Sequence, residues 1–169
     1  MGVAIEQLKK EHAAIERMLV VLEIVCRRLQ AGQAVEPGHL EQIVAFFRGF
    51  ADECHHGKEE AVLFPALEKV GIPREGGPVG VMLHEHDQMR GALRAVRDAV
   101  ERHRAGEVGA ASDIVRHAGN YASALRLHID KENSVLFRMA EMRLGPTQEQ
   151  QLAEAFEVVE SQKMGAGKH

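Results

Sequence analysis

The sequence predicts an all-α protein: an up-down-up-down antiparallel four-helix bundle followed by a short C-terminal fifth helix. Three observations lead there. Apolar residues recur at three- and four-residue steps along most of the chain. Strand-like alternation is missing. The Gly- and Pro-bearing interruptions are short, so successive helices must fold back on one another to bury their stripes.

The first helix is expected from Ile5 to about Gln30, with Ile5, Leu8, Ile15, Leu19 and Leu22 on one face and Gly32 ending it. A second pattern begins near Pro37 and carries Ile43, Phe46, Phe47, Phe50, Val62, Leu63 and Leu67; Pro65 must kink or close it. The segment "GIPREGGPVG" reads as a loop, and Pro78 suits the first turn of the third helix, which carries Val81, Met82, Met89, Leu93 and Val96. The fourth starts near Gly109 and runs through Ile114, Tyr121, Leu125, Val135 and Leu136 to about Met142. Thr147 with Gln150 three residues on forms a capping-box pattern for a fifth helix to about Gln162, followed by a frayed "GAGKH" tail. The expected division is a bundle over 1–145 and a C-terminal helix and tail over 146–169.

The bulk numbers exclude several classes of function. A chain of 169 residues suits one domain, and 45% apolar with 27% charged residues is ordinary for a globular protein. No apolar run is long enough to cross a bilayer. The segment "MGVAIEQLKK" lacks the basic and apolar regions of a secretory signal, and Glu6 stands where myristoylation needs Ser or Thr. A cytoplasmic protein without a membrane partner is expected. A net charge of -4, with no basic stripe interleaved with aromatics, argues against nucleic acid. Cys26 and Cys54 fall in helical patterns and read as core thiols. The unusual count is ten histidines.

Their placement is not random. "HHGKEEAVLF" (55–64) aligns with "HIDKENSVLF" (128–137), pairing His55 with His128 and Glu59 with Glu132 at one constant offset. "EHAAIERML" (11–19) similarly aligns with "EHDQMRGAL" (85–93), pairing His12 with His86. The chain is two helical hairpins of one design, each offering a single histidine and one His-x-x-x-Glu pair. Residues four apart share a helix face. These faces point inward: His12 lies in register with Leu8, Ile15 and Leu19, and His86 with Met82, Met89 and Leu93. His55 is in register with Phe47, Ala51 and Val62, and His128 with Leu125 and Val135. A lone His-x-x-x-Glu is usually a solvated pair, but four histidines and two carboxylates in one apolar interior need a compensating ion.

The repeat implies two metal ions related by a pseudo-twofold axis. Mixed imidazole and carboxylate donors suit iron or manganese, and also zinc. A closed zinc site would gather four donors around one ion, often with cysteine. Six donors for two ions leave positions for a bridging oxo or hydroxo group and for dioxygen, peroxide or nitric oxide. The ferritin-like pattern needs two Glu-x-x-His motifs, yet Glu36/His39 and Glu53/His56 both stand outside the repeat.

The order "EH…HHGKEEAVLFPAL…GGPVGVMLHEHDQMR…HIDKENSVLF" resembles the hemerythrin-like proteins with an HHE cation-binding domain, over about residues 5 to 142. That resemblance implies a non-haem centre of two iron ions, with manganese or zinc as poorer fits. It makes His12, His55, His86 and His128 terminal ligands, and Glu59 and Glu132 bridging carboxylates. Oxygen-carrying hemerythrins have a fifth histidine where Met82 stands and space their last pair one residue wider. Both departures point to the HHE branch, whose activities resemble a mixture of oxygen or iron sensing, nitric oxide response and peroxide handling. The expected function is binding of a small oxidant or gas, in sensing or stress response. One alternative is a di-iron enzyme with peroxidase, catalase-like or nitric-oxide-reducing activity. Another class is a metal-free or zinc-bound structural bundle acting through partners.

Other polar residues read differently. Ile129 and Asn133 stand opposite His56 and Glu60 in the repeat, so these two read as an exposed or boundary ion pair. His84 lies about 200° around the helix from His86, which suits a surface or supporting role. Tyr121 reads as core, and Met82 and Met89 as core filler lining the pocket. Glu11 and Glu85 are expected to pair with arginines such as Arg17 and Arg90. His39, His103, His117 and His169 read as surface.

Overall fold

The computed structural model describes residues 2–163, and these are helical almost throughout, with no strand among the described residues. The expected "GAGKH" tail and His169 lie outside them. The helices are α1 (Val3–Gln30), α2 (Pro37–Phe46), α3 (Phe64–Lys69), α4 (Pro78–Arg104), α5 (Ala110–Lys131), α6 (Phe137–Arg143) and α7 (Pro146–Lys163). Two π-helical segments, Phe47–His56 and Glu59–Leu63, carry α2 on into α3. A third, Glu132–Leu136, carries α5 into α6. The all-α bundle expected from the sequence is what forms: α1 packs on α5, α5 on α4 and α4 on α2. Helix α7 lies against α1 and against the first two π segments.

Several ends follow from local chemistry. Gly32 takes a φ of 73°, and the bonds Gly32 N–H to Leu29 C=O and Gln33 N–H to Arg28 C=O close α1 in a Schellman motif. Pro78 opens α4 at its first turn, where a missing N–H costs nothing. Pro65 does not end its helix. It sits in the first turn of α3, directly after the second π segment, and the rod continues to Lys69. The expected Thr147 cap is displaced: α7 begins at Pro146, and the Gly145 N–H donates to Gln148 Oε1 at 2.8 Å, the reach-back half of a capping box set two residues earlier.

The π segments also correct the expected inward face. Val62 and Val135, each seven residues after a histidine, are half-buried and 51% exposed respectively, whereas Leu63 and Leu136 are buried. An i→i+5 turn holds one residue more than an α turn, so the apolar phase beyond each glutamate slips by one position.

The buried side chains form two apolar clusters. One gathers Ile15, Leu19, Phe47, Met89, Tyr121, Leu125 and Ile129; the other gathers Ile5, Leu8, Leu63, Phe64, Met82, Leu136 and Phe137. Along α1 the chain passes from Leu8 in one to Ile15 in the other, with Glu11 and His12 between. Along α4, His86 stands between Met82 and Met89. A buried polar layer therefore separates two apolar ones. Cys26 and Cys54 are buried and Tyr121 is core, as expected. Met82 sits in an apolar cluster.

Candidate metal centre

The six residues singled out by the repeat all belong to the polar layer. His12, His55, Glu59, His86, His128 and Glu132 are each no more than 1% exposed. Joined by a seventh residue, His56, they fall into two overlapping groups of donor atoms, His12/His55/Glu59/Glu132 and His56/Glu59/His86/His128, and within each group all lie within 4.8 Å of one another. Glu59 belongs to both.

The two carboxylates reach across the pseudo-twofold axis. Glu59 presents Oε2 to His55 Nε2 at 3.4 Å and Oε1 to His86 Nε2 at 3.1 Å. Glu132 Oε1 lies 3.0 Å from His12 Nε2 and 3.3 Å from His128 Nε2. Both oxygens of Glu59, Oε2 of Glu132 and Nε2 of His55 are buried without a hydrogen bond. Orphaned buried acceptors are costly.

Each imidazole is gripped on its far side. The Nδ1–H groups donate to Glu11 Oε1 from His55 (2.8 Å), to Glu85 Oε1 from His128 (2.9 Å), to Asn133 Oδ1 from His12 (2.8 Å) and to Glu60 Oε2 from His86 (2.6 Å). This fixes the tautomer and turns every Nε2 lone pair into the layer. His86 Nε2 and His128 Nε2 then face one another at 3.1 Å, an arrangement that favours a cation between them. Convergent lone pairs, orphaned carboxylate oxygens and outer partners that orient each ring together fit a pair of cations.

The outer partners repeat as the inner donors do. Lys58 bonds Glu11 Oε2 at 2.6 Å, and Lys131 bonds Glu85. Each half thus has a His–Glu–Lys triplet, and Glu60 and Asn133 exchange places across the axis. The expectation that Glu11 and Glu85 pair with arginines is corrected: lysines one turn away on the adjoining rods reach them. The signal was present, because Glu11/Glu85 and Lys58/Lys131 stand at repeat-related positions. Arg90 instead binds Asp52 at 2.8 Å and Glu60 at 2.7 Å.

His56 was misread as an exposed or boundary residue. It is 2% exposed, stacks on His86 with ring centroids 3.9 Å apart, and points Nδ1 to Asp52 at 3.4 Å. His55 and His56 are consecutive at the end of a π segment, and both offer a ring nitrogen to the layer although neighbours on a helix stand roughly 100° apart. Glu60 is half-buried and reaches the centre only through His86. His84 and His39 are exposed, and His103 and His117 lie at the partly covered surface.

The electrostatics are those of charge crowded out of water. Burial and the neighbouring Glu132 charge push the Glu59 carboxyl well above the usual carboxylate range. Burial opposes ionisation of Glu132 as well, but the His128 charge and the bonds from His12 and His128 hold it well below that range. Burial, with His86 alongside, lowers His56 well below the ordinary histidine value, which keeps it neutral and its lone pair free. Burial works against a charged His86 too, and the adjacent Glu59 and Glu60 carboxylates raise it nonetheless.

Residues 3–140 match the model of the hemerythrin HHE cation-binding domain. The chain is 25% identical over 160 residues to an uncharacterized protein of Mycobacterium tuberculosis and its Mycobacterium bovis counterpart, covering 95% of this chain and 62% of each relative. It is 33% identical over 101 residues to the iron-sulfur cluster repair protein DnrN of Neisseria gonorrhoeae, covering 57% of this chain and 64% of the relative. The chain thus spans less than two thirds of the length of these relatives. No helix among the described residues is long and apolar enough to cross a membrane.

Proposed function

The chain belongs to the hemerythrin HHE cation-binding family, and on that premise we propose that it is a non-haem di-iron protein that binds dioxygen, peroxide or nitric oxide in sensing or stress response. On this reading His12 and His55 would hold one ion, His86 and His128 with His56 would hold the other, and Glu59 and Glu132 would supply carboxylate oxygens to both. The observation that carries this reading is the pair of overlapping buried donor groups that share Glu59. The imidazole and carboxylate donor set suits iron or manganese, and also zinc, and the likeness to a protein named for iron-sulfur cluster repair supports iron among them. Two adjacent iron ions supply one-electron redox steps and open positions for a small ligand. The side chains supply the rest: Glu11, Glu60, Glu85 and Asn133 hold the imidazole protons at Nδ1, and the apolar clusters on either side exclude bulk water.

Aerobic loading with ferrous iron tests the reading. Two irons per chain are expected, with an absorption change on exposure to peroxide or nitric oxide, and His55→Ala or His128→Ala should each lose iron. Zinc or no stoichiometric metal, after purification with iron supplied, would leave the structural-bundle reading instead. Sustained peroxide turnover would move the protein to the enzyme class.

A further inference from the structure

Helix α7 lies beyond the residues matched to the family, yet it bonds to a residue one step removed from the centre. Lys58 is fully buried, with Nζ 2.6 Å from Glu11 Oε2 and 2.6 Å from Glu160 Oε1 on α7. Glu11 in turn accepts from His55 Nδ1 at 2.8 Å. A continuous ionic chain therefore runs from α7 to a donor of the metal layer: Glu160, Lys58, Glu11, His55. The Lys58 ammonium also sits 5.8 Å above the ring of Phe156, another α7 residue. Helix α7 also packs closely over Gly57, where a Cβ would lie in ordinary contact with Val159 Cγ1 at 3.7 Å and leave little room for anything longer. A bulkier side chain would push α7 outward.

The other half of the repeat is the built-in control. Glu85 and Lys131 reproduce the triplet with His128, but Lys131 is 47% exposed and Asp130, standing where Gly57 does, is exposed. That half has no α7 over it. Helix α7 holds α1 at a second point, where Glu149 Oε2 accepts from the Ala4 N–H at 2.8 Å and the Ile5 N–H at 3.3 Å. Gly2 allows this approach, because a Cβ there would collide with the Glu149 carboxyl.

We propose that α7 is a latch on one half of the centre: through Glu160 and Lys58 it holds Glu11 against His55, and so retards release of the ion bound by His12 and His55. This rests on the two-ion reading above. Lys58 and Glu160 are positioning residues that act on the ion through His55. Loss of such an outer partner typically costs 10–100-fold in metal affinity, whereas a solvated pair such as Glu85–Lys131 contributes little.

Release of iron from the aerobically loaded 169-residue chain into a ferrous chelator under reducing conditions tests the latch. Glu160→Ala and Lys58→Met are expected to speed release of one of the two equivalents about 10-fold and leave the other unchanged. Glu160→Gln, which keeps a hydrogen bond, should fall between, and Lys131→Met should change neither equivalent by more than about 2-fold. Glu160 is partly exposed, so Glu160→Ala decides the matter if Lys58→Met does not fold. Wild-type release from a fully loaded Glu160→Ala protein, or equal acceleration of both equivalents, overturns the latch. A wild-type protein that never takes up two irons overturns the two-ion reading instead.

Discussion

At the scale of single residues, His56 shows where the sequence stops being informative. Six residues of the buried layer are legible because the chain writes the pattern twice, at matching offsets in two hairpins. His56 is written once, opposite Ile129, and the repeat argument that found its neighbours set it aside. The structure restores a fifth histidine to the layer, supplied by the rod that carries His55 and Glu59, while the α4 position that family carriers use holds Met82. It follows that His56→Ala should leave the ion of His12 and His55 in place and weaken the other by at least about 10-fold, read by metal analysis after dialysis against graded chelator. Glu59→Ala should lose both ions, because that carboxylate belongs to both donor groups. Two tightly held irons in His56→Ala would remove it from the ligand set.

At the scale of elements, the π segments decide what faces the core. Both His-x-x-x-Glu copies run into one, and the proline beyond the first copy is not its cause, because Arg138 stands at the matching place in the second. What the copies share is a buried glutamate at the segment's first residue. Apolar periodicity could not reveal the extra residue per turn, since Val-Leu-Phe supplies an apolar side chain in either phase. The rephasing has a measurable consequence. Leu136→Ala should cost about 2–5 kcal/mol in urea unfolding, and Val135→Ala only about 0.5 kcal/mol, the reverse of what unbroken α geometry would give. Comparable costs at the two positions would argue against the π turn. Helix α7 bears a similar test. Its poorly segregated apolar face is buried at Leu152 and Phe156, so Phe156→Ala should cost about 3–5 kcal/mol, and Glu149→Ala, which removes the bond to the α1 N-terminus, about 1 kcal/mol.

At the scale of the whole molecule, two apolar clusters hold apart a layer that neither could stabilise alone. Folding forces Glu59 and Glu132 together between imidazoles, away from water, and leaves three of their four oxygens without hydrogen bonds. The bundle thus carries a local cost that cations offset, and stability and metal content should be linked. An ion present at about 1,000 times its dissociation constant adds about 4 kcal/mol, and in a chain of this length 1 kcal/mol moves Tm by about 2–4 °C. Stripping the metal with a chelator should therefore lower Tm by roughly 8–16 °C for each ion lost. Glu59→Gln separates the two contributions. It removes a carboxyl whose charged form burial and Glu132 already disfavour, so the metal-stripped variant should melt at or above the stripped wild type, yet gain little when iron is returned. If stripped and loaded wild type melt together, the buried layer is satisfied without cations and the two-ion centre falls. If Glu59→Gln still gains the full wild-type increment, Glu59 is not the carboxylate that both ions share.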